Sequence, residues 1–212
     1  MTDAGEPRKI GRLQLADYLD DVASSSPTPG GGSVGGVVAA LAAGLGEMVG
    51  NLTKPGADGM RPDVFESALA RLGALRADAL ALAEADEAAY AGYRAASSMP
   101  KVTDEEKSRR SASLQDALLI ATEVPLALAA CSVDILQALE PITRHGNPHA
   151  LSDALLGSLL AKAAGEGALL NVRGNAGMIR DSAFAGRALA AADRLEQALA
   201  GARAAVVSAA NR

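Results

Sequence analysis

The chain has 212 residues, enough for one domain with a full core, and 20 Lys+Arg against 25 Asp+Glu leave a formal charge of −5. That mild acidity argues against a protein that grips a nucleic-acid backbone, which needs a basic face. Apolar residues make up 49% but aromatics only 2%, with no Trp, so the core is expected to form from Ala, Gly and Leu on closely approaching backbones, helix on helix.

Nothing in residues 1–10 resembles a secretory leader, and this stretch reads as a flexible N-terminus. Leu15, Tyr18, Leu19 and Val22 mark a first helix that Pro27 stops. A loop of Ser, Pro, Thr and Gly runs to Ser33. A second helix is expected over about Ser33–Thr53, ended by Lys54-Pro55-Gly56, with a loop over Asp58–Pro62. Its apolar stretch, Val34–Gly46, is short of the ~20 residues that span a bilayer, so no membrane partner is expected and the chain reads as cytoplasmic. A third helix spans about Asp63–Ser98, closed by Pro100. Thr103 followed by Glu106 is a capping-box pattern that opens a fourth helix to about Ile142, with a kink at Pro125. His145-Gly146-Asn147-Pro148 is a turn. A fifth helix covers about Ala150–Arg173 and a sixth about Asp181–Ala210. No alternating Val/Ile/Thr run predicts a strand. The fold class read from this is all-α: a single-domain antiparallel bundle of about six helices over residues 1–212, with a Gly-rich loop entering the second.

That loop, SSSPTPGGGSVGG over Ser24–Gly36, is the sharpest local signal. Glycines entering a helix expose free N–H groups at the positive end of its dipole, a setting for an anion or a developing oxyanion, and Ser33 is placed to cap the helix. The letters Gly30-x-Gly32-x-x-Gly35 match a dinucleotide fingerprint, but a helix rather than a strand precedes them, and no Gly-Lys-Ser/Thr follows for a P-loop. A tight helix-to-helix connection is the plain structural alternative. Gly32, Gly36, Ala40 and Gly44 recur every fourth residue, giving a smooth face that suits close packing inside the chain or across a homodimer.

Two helices carry polar groups on apolar stripes. Leu72, Leu75, Ala79, Leu82, Asp86, Tyr90 and Tyr93 step by three or four, which puts Asp86 on the buried face. A buried carboxylate costs several kcal/mol unless paired, so it is a site candidate. On the fifth helix Asp153, Asn171 and Asn175 share a face, although Asp153 and Asn171 lie roughly 27 Å apart along the axis; Asp153 is equally placed to cap its helix. His145 and His149, separated by Gly146 and Pro148, share no helical face, and no metal site or cofactor is expected. Cys131, the one cysteine, reads as a small core residue.

Taken together, SSSPTPGGGS, NLTK, AEADEAAY, MPKVTDEEKSRR, GNPHALSDA and ALLNVRGNA resemble, in order, the cyclodeaminase/cyclohydrolase family. This family includes the C-terminal domain of formiminotransferase-cyclodeaminase and stand-alone methenyltetrahydrofolate cyclohydrolases. The resemblance runs from about Leu15 to beyond Phe184. Gly174 departs from it, standing where a β-branched residue is usual, and His149 also departs and carries no assigned role. The resemblance implies a helical homodimer acting on a tetrahydrofolate derivative, and the absence of an attached formiminotransferase domain points to the cyclohydrolase branch. Cyclodeamination of 5-formiminotetrahydrofolate is the alternative, and a non-catalytic helical interaction protein a further one.

On that reading Asp86 is the first candidate for proton transfer, with Asp153 as a second base or as the acceptor for the pterin N–H edge. Asn171 and Asn175 are candidates for the pterin carbonyl or the developing formyl oxygen. Lys101 and Arg110 match the MPK and EEK-x-x-R elements and are candidates for the glutamate carboxylates of folate. Pro29, Gly30, Gly31, Gly32 and Ser33 of the loop, and Asn147 in GNPHALSDA, complete the substrate-binding set.

Overall fold

The helical periods condense into six α-helices, and no strand forms among the described residues. The computed structural model describes residues 9–54 and 61–211. Most of the segment expected to be flexible, and of the loops expected at 54–56 and 58–62, therefore lies outside the described residues. Ile10, the last residue of that N-terminal segment, is buried in a small cluster with Tyr18 and Ala83.

The helices are α1 (Leu15–Ala23), α2 (Gly31–Asn51), α3 (Pro62–Ser97), α4 (Asp104–His145), α5 (Leu151–Ala176) and α6 (Ser182–Ala210). Their starts follow local chemistry. Pro62 opens α3, where its missing N–H costs nothing. The capping box of α4 is formed: Thr103 Oγ1 accepts from the Glu106 N–H at 3.2 Å, and Glu106 Oε2 accepts from the Thr103 N–H at 3.0 Å. Asp181 caps α6 by accepting from the N–H groups of Ala183 and Phe184.

Several boundaries differ from the sequence reading by two or three residues, and two of them have a clear physical cause. Helix α2 begins at Gly31 with Gly30 as its cap residue and no side-chain capping bond; Ser33 is not the cap, because its hydroxyl is engaged elsewhere. Helix α4 runs through Pro125 and Pro141 to His145, past the expected end at Ile142. Buried Leu136, Leu139 and Ile142 continue the apolar face across the second proline, and that packing outweighs the lost backbone bond.

Helices α2 to α5 form an antiparallel bundle, and α6 covers α4 and α5. The direction of α2 on α3 can be read from its glycines. A Cβ on Gly32 would meet Asp86, one on Gly36 would meet Ala79 and Ala83, one on Gly46 would meet Leu72, and one on Gly50 would meet Leu69. At Gly36 that Cβ would lie 2.7 Å from the Ala79 carbonyl oxygen, so the small-residue face brings α2 onto α3 inside the chain. The core is centred on α4, whose Leu128, Ile135, Leu136, Leu139 and Ile142 are almost wholly withdrawn from solvent with Leu72, Leu169 and Leu199; burying each such side chain is worth ~1.5–3 kcal/mol. Helices α2 and α4 are long and apolar enough to cross a membrane, and about half of each apolar stretch is buried inside the bundle.

Candidate active site

The antiparallel arrangement gathers the start of α2, the C-terminal halves of α3 and α5 and the N-terminal half of α4 at one end of the bundle. There a cavity of about 320 Å³ opens between Gly30, Gly31 and Gly32 of the loop, Asp86, Tyr90 and Tyr93 of α3, Leu118 and Ala121 of α4, and Asn171 and Asn175 of α5. Its size is at the lower end for small-molecule sites, and its walls are mostly apolar with a few convergent polar groups.

Asp86 is half-buried in this cavity and its carboxylate accepts the backbone N–H of Ser33. The first N–H groups of a helix have no partner within it, and α2 turns one of them onto the carboxylate. Contact is so close that a Cβ on Gly32 would fall 2.0 Å from Asp86 Oδ1. Position 32 is glycine because the carboxylate occupies the space of a side chain. Burial holds the Asp86 carboxyl above the usual carboxylate range; the Ser33 N–H opposes that rise, and the negative charge of Glu87 adds to it. A carboxyl held that way exchanges protons closer to neutral pH.

Asn175 is positioned by an unusual feature of α4. Pro125 lacks the N–H that would bond the carbonyl four residues back, so the Ala121 carbonyl is free of that partner. Asn175 Nδ2 donates to it at 2.6 Å. A proline in one helix thus supplies the acceptor that orients an amide on another. One turn earlier on α5, Asn171 faces the same cavity with no side-chain partner among the described residues. Tyr90 and Tyr93 line the same cavity. The sequence stripe puts them in register with Asp86, but a tyrosine at helical spacing reads equally well as core.

The remaining sequence candidates are elsewhere. Asp153 sits in the first turn of α5, where a negative charge suits the helix dipole, roughly 27 Å along the axis from Asn171. Asn147 belongs to that same far end: its Nδ2 donates to the Leu52 carbonyl, its Oδ1 accepts the His149 N–H, and its N–H donates to Thr53 Oγ1. Those bonds tie the turn before α5 to the end of α2. Lys101 and Arg110 do not line the cavity. Arg110 Nε donates to the Ser97 carbonyl at 3.1 Å, about one turn along α3 beyond Tyr93, so the guanidinium stands outward of the pocket on the same end. Pro29 is buried. Ser33 is fully buried, its Oγ paired with Glu87 Oε1 at 3.2 Å and with the Tyr18 hydroxyl at 3.1 Å.

Comparison with known proteins bears on this pocket. The sequence model of the family described as formiminotransferase-cyclodeaminase matches residues 14–194. The chain belongs to that family. It is similar to a methenyltetrahydrofolate cyclohydrolase of Methylorubrum extorquens, with 37% identity over 82% of this chain and 85% of that protein. The formimidoyltransferase-cyclodeaminase of Rattus norvegicus is 35% identical over 86% of this chain, which spans only 34% of that longer protein. The crystal structure of formiminotetrahydrofolate cyclodeaminase from Thermotoga maritima superposes with a TM-score of 0.84 at 30% identity, covering 95% of this chain and 98% of that one. Family membership and the all-α fold agree with the resemblance carried by the six motifs.

Proposed function

We propose that the chain hydrolyses 5,10-methenyltetrahydrofolate to 10-formyltetrahydrofolate, with Asp86 as the proton-transfer group. The observation that carries this reading is a half-buried carboxylate whose proton affinity is raised, aimed into a cavity of about 320 Å³ beside two free or half-free amides. Similarity to the Methylorubrum cyclohydrolase over most of both chains supports the same choice.

The methenyl carbon belongs to an amidinium cation and is already electrophilic. Asp86 takes a proton from water as its oxygen bonds to that carbon, giving a neutral carbinolamine. The protonated carboxyl then donates to N5 of the pterin as the C–N5 bond breaks. The carbinol hydroxyl proton leaves to solvent, and the formyl group stays on N10. One carboxyl serves as base and then as acid. Asn171 has amide N–H groups for the developing formyl oxygen or the pterin carbonyl, and Asn175, anchored through Nδ2, offers Oδ1 to a pterin N–H. Tyr90 and Tyr93 supply flat walls for the rings. Lys101 and Arg110, outward of the pocket, suit the glutamate carboxylates.

The methenyl compound has a near-ultraviolet chromophore that ring opening destroys. Purified protein is expected to accelerate its loss, and Asp86→Asn to reduce kcat/KM by at least about a hundredfold. No acceleration over buffer would overturn the reading. The fit to the Thermotoga cyclodeaminase favours a second reaction on the same site: appearance of the chromophore with ammonia from 5-formiminotetrahydrofolate would select it.

The homodimer is part of the same proposal. Val37, Leu41 and Leu45 of α2, Leu80 of α3 and Leu160 of α5 line a shallow, mostly apolar groove with Arg76 at its edge, and Leu41 is 57% exposed. Met48 and Leu156, at helical spacing from the groove, are exposed as well. A surface of this kind is what a second copy would cover.

A further inference from the structure

Helix α2 meets Asp86 with almost nothing of its own to hold it there. Its cap residue, Gly30, makes no side-chain bond. Gly31 has no neighbour within 4 Å of where a Cβ would stand, and at Gly32 the space for a side chain is taken by the carboxylate. The first side chain of the helix is Ser33, which is 0% exposed. It bonds both carboxylates of an adjacent pair on α3: its N–H goes to Asp86 and its Oγ–H to Glu87 Oε1 at 3.2 Å. With that hydroxyl proton committed to Glu87, the Tyr18 hydroxyl of α1 is the donor in its 3.1 Å bond to Ser33 Oγ. Three helices therefore converge on one small side chain.

We propose that Ser33 is a positioning residue that fixes the Asp86 carboxylate in the pocket, and that Tyr18 and Glu87 are the anchors that hold Ser33 in place. This deepens the proposed function and rests on its assignment of Asp86. Among the described residues the bonds run from Tyr18 to Ser33 and from Ser33 to the two carboxylates, and a bond lost at either anchor leaves the glycine turn free to slide along α3. A misplacement of the order of 1 Å between reacting groups costs roughly a hundredfold in rate. The titratable groups facing Asp86 are Glu87, Tyr90 and Tyr93 on its own helix and Tyr18 behind Ser33. The cavity walls from α2, α4 and α5 contribute none among the described residues.

Tyr18→Phe, Ser33→Ala and Ser33→Thr, Glu87→Gln and Asp86→Asn test this, read by kcat and KM, by melting temperature, and by titration of the Asp86 carboxyl carbon by NMR in the folate-free protein. Ser33→Ala is expected to lower kcat by about tenfold to a hundredfold with KM within about twofold, and Ser33→Thr, which keeps the hydroxyl, to recover most of it. Tyr18→Phe should produce a smaller loss in the same direction. Opposite titration shifts are the signature. Loosening Ser33 weakens the N–H bond to the carboxylate, so Ser33→Ala and Tyr18→Phe raise the Asp86 midpoint. Glu87→Gln keeps an acceptor for Ser33 but removes a negative charge, so it lowers the midpoint. A purely structural role would lower the melting temperature and leave both midpoints unmoved, which overturns the proposal. Unchanged kcat and midpoint in the anchor variants, with Asp86→Asn inactive, would defeat this inference and leave the functional reading standing. Should the wild-type protein show no folate activity, the functional reading fails, while the folate-free titration still decides whether the anchors set Asp86.

Discussion

At the scale of single residues, one contact dominates the site: the Asp86 carboxylate lies where a Cβ of residue 32 would stand, 2.0 Å from Oδ1. Gly32→Ala must push the helix start and the carboxylate apart. We expect a loss in kcat/KM of roughly a hundredfold, together with a lower melting temperature, both measurable on the same preparation. Asp86 also leaves a mark on stability. Its folded-state proton affinity is raised by burial, so the stability associated with the neutral carboxyl is present below the ordinary Asp value near 3.8 and is lost as pH rises through the folded value. Asp86→Asn removes that loss. The variant should melt higher than the wild type near pH 7, with the gain vanishing at about pH 3 in a pH series of thermal melts; an equal gain at every pH would refute the linkage. Asp86 was legible in the sequence because a carboxylate stood on a stripe of leucine and alanine. The role of Ser33 is not legible in the sequence, since a serine after three glycines looks like a cap, and nothing in the local pattern shows a hydroxyl reaching two other helices.

At the scale of elements, glycine and proline position the site through what they lack. Gly36 has no side chain to hold α2 away from the Ala79 carbonyl and Ala83. Gly36→Ala should cost about 1–3 kcal/mol by overpacking, seen as a lowered midpoint in denaturant with an unchanged slope. Pro125 lacks an N–H, and the acceptor it leaves at Ala121 is taken by Asn175 at 2.6 Å. Helix ends were legible wherever a local device set them, as with Thr103 and Glu106 or Pro62. The last turn of α4, from Ile142 to His145, was not, because what holds it is burial of Ile142 and Thr143 against other helices, and a local window contains no other helices. The same limit hid the role of Pro125, whose beneficiary lies fifty residues further on.

At the scale of the whole molecule, helical spacing showed which face a residue takes but not which end of the bundle holds the cavity. Asp86, Asn171 and Asn175 came together with Gly30, Gly31 and Gly32, whereas Asp153, on the same stripe as the two asparagines, and Asn147, in the turn before α5, stand at the opposite end. The apolar groove beside Leu41 gives a prediction at this scale. Leu41→Lys should shift the protein from dimer to monomer in sedimentation or light scattering, with the fold unchanged by circular dichroism; a monomeric wild type would refute the dimer. The seam between α3 and α4 holds one more consequence. Cys131, the one cysteine of the chain, is 7% exposed, and burial with the charges of Asp78 and Asp134 pushes its thiol up to about 11. At neutral pH such a sulfur resists alkylation until the helices part. The rate at which a maleimide captures it therefore clocks spontaneous opening of the bundle, with no introduced label and no competing thiol to confuse the signal.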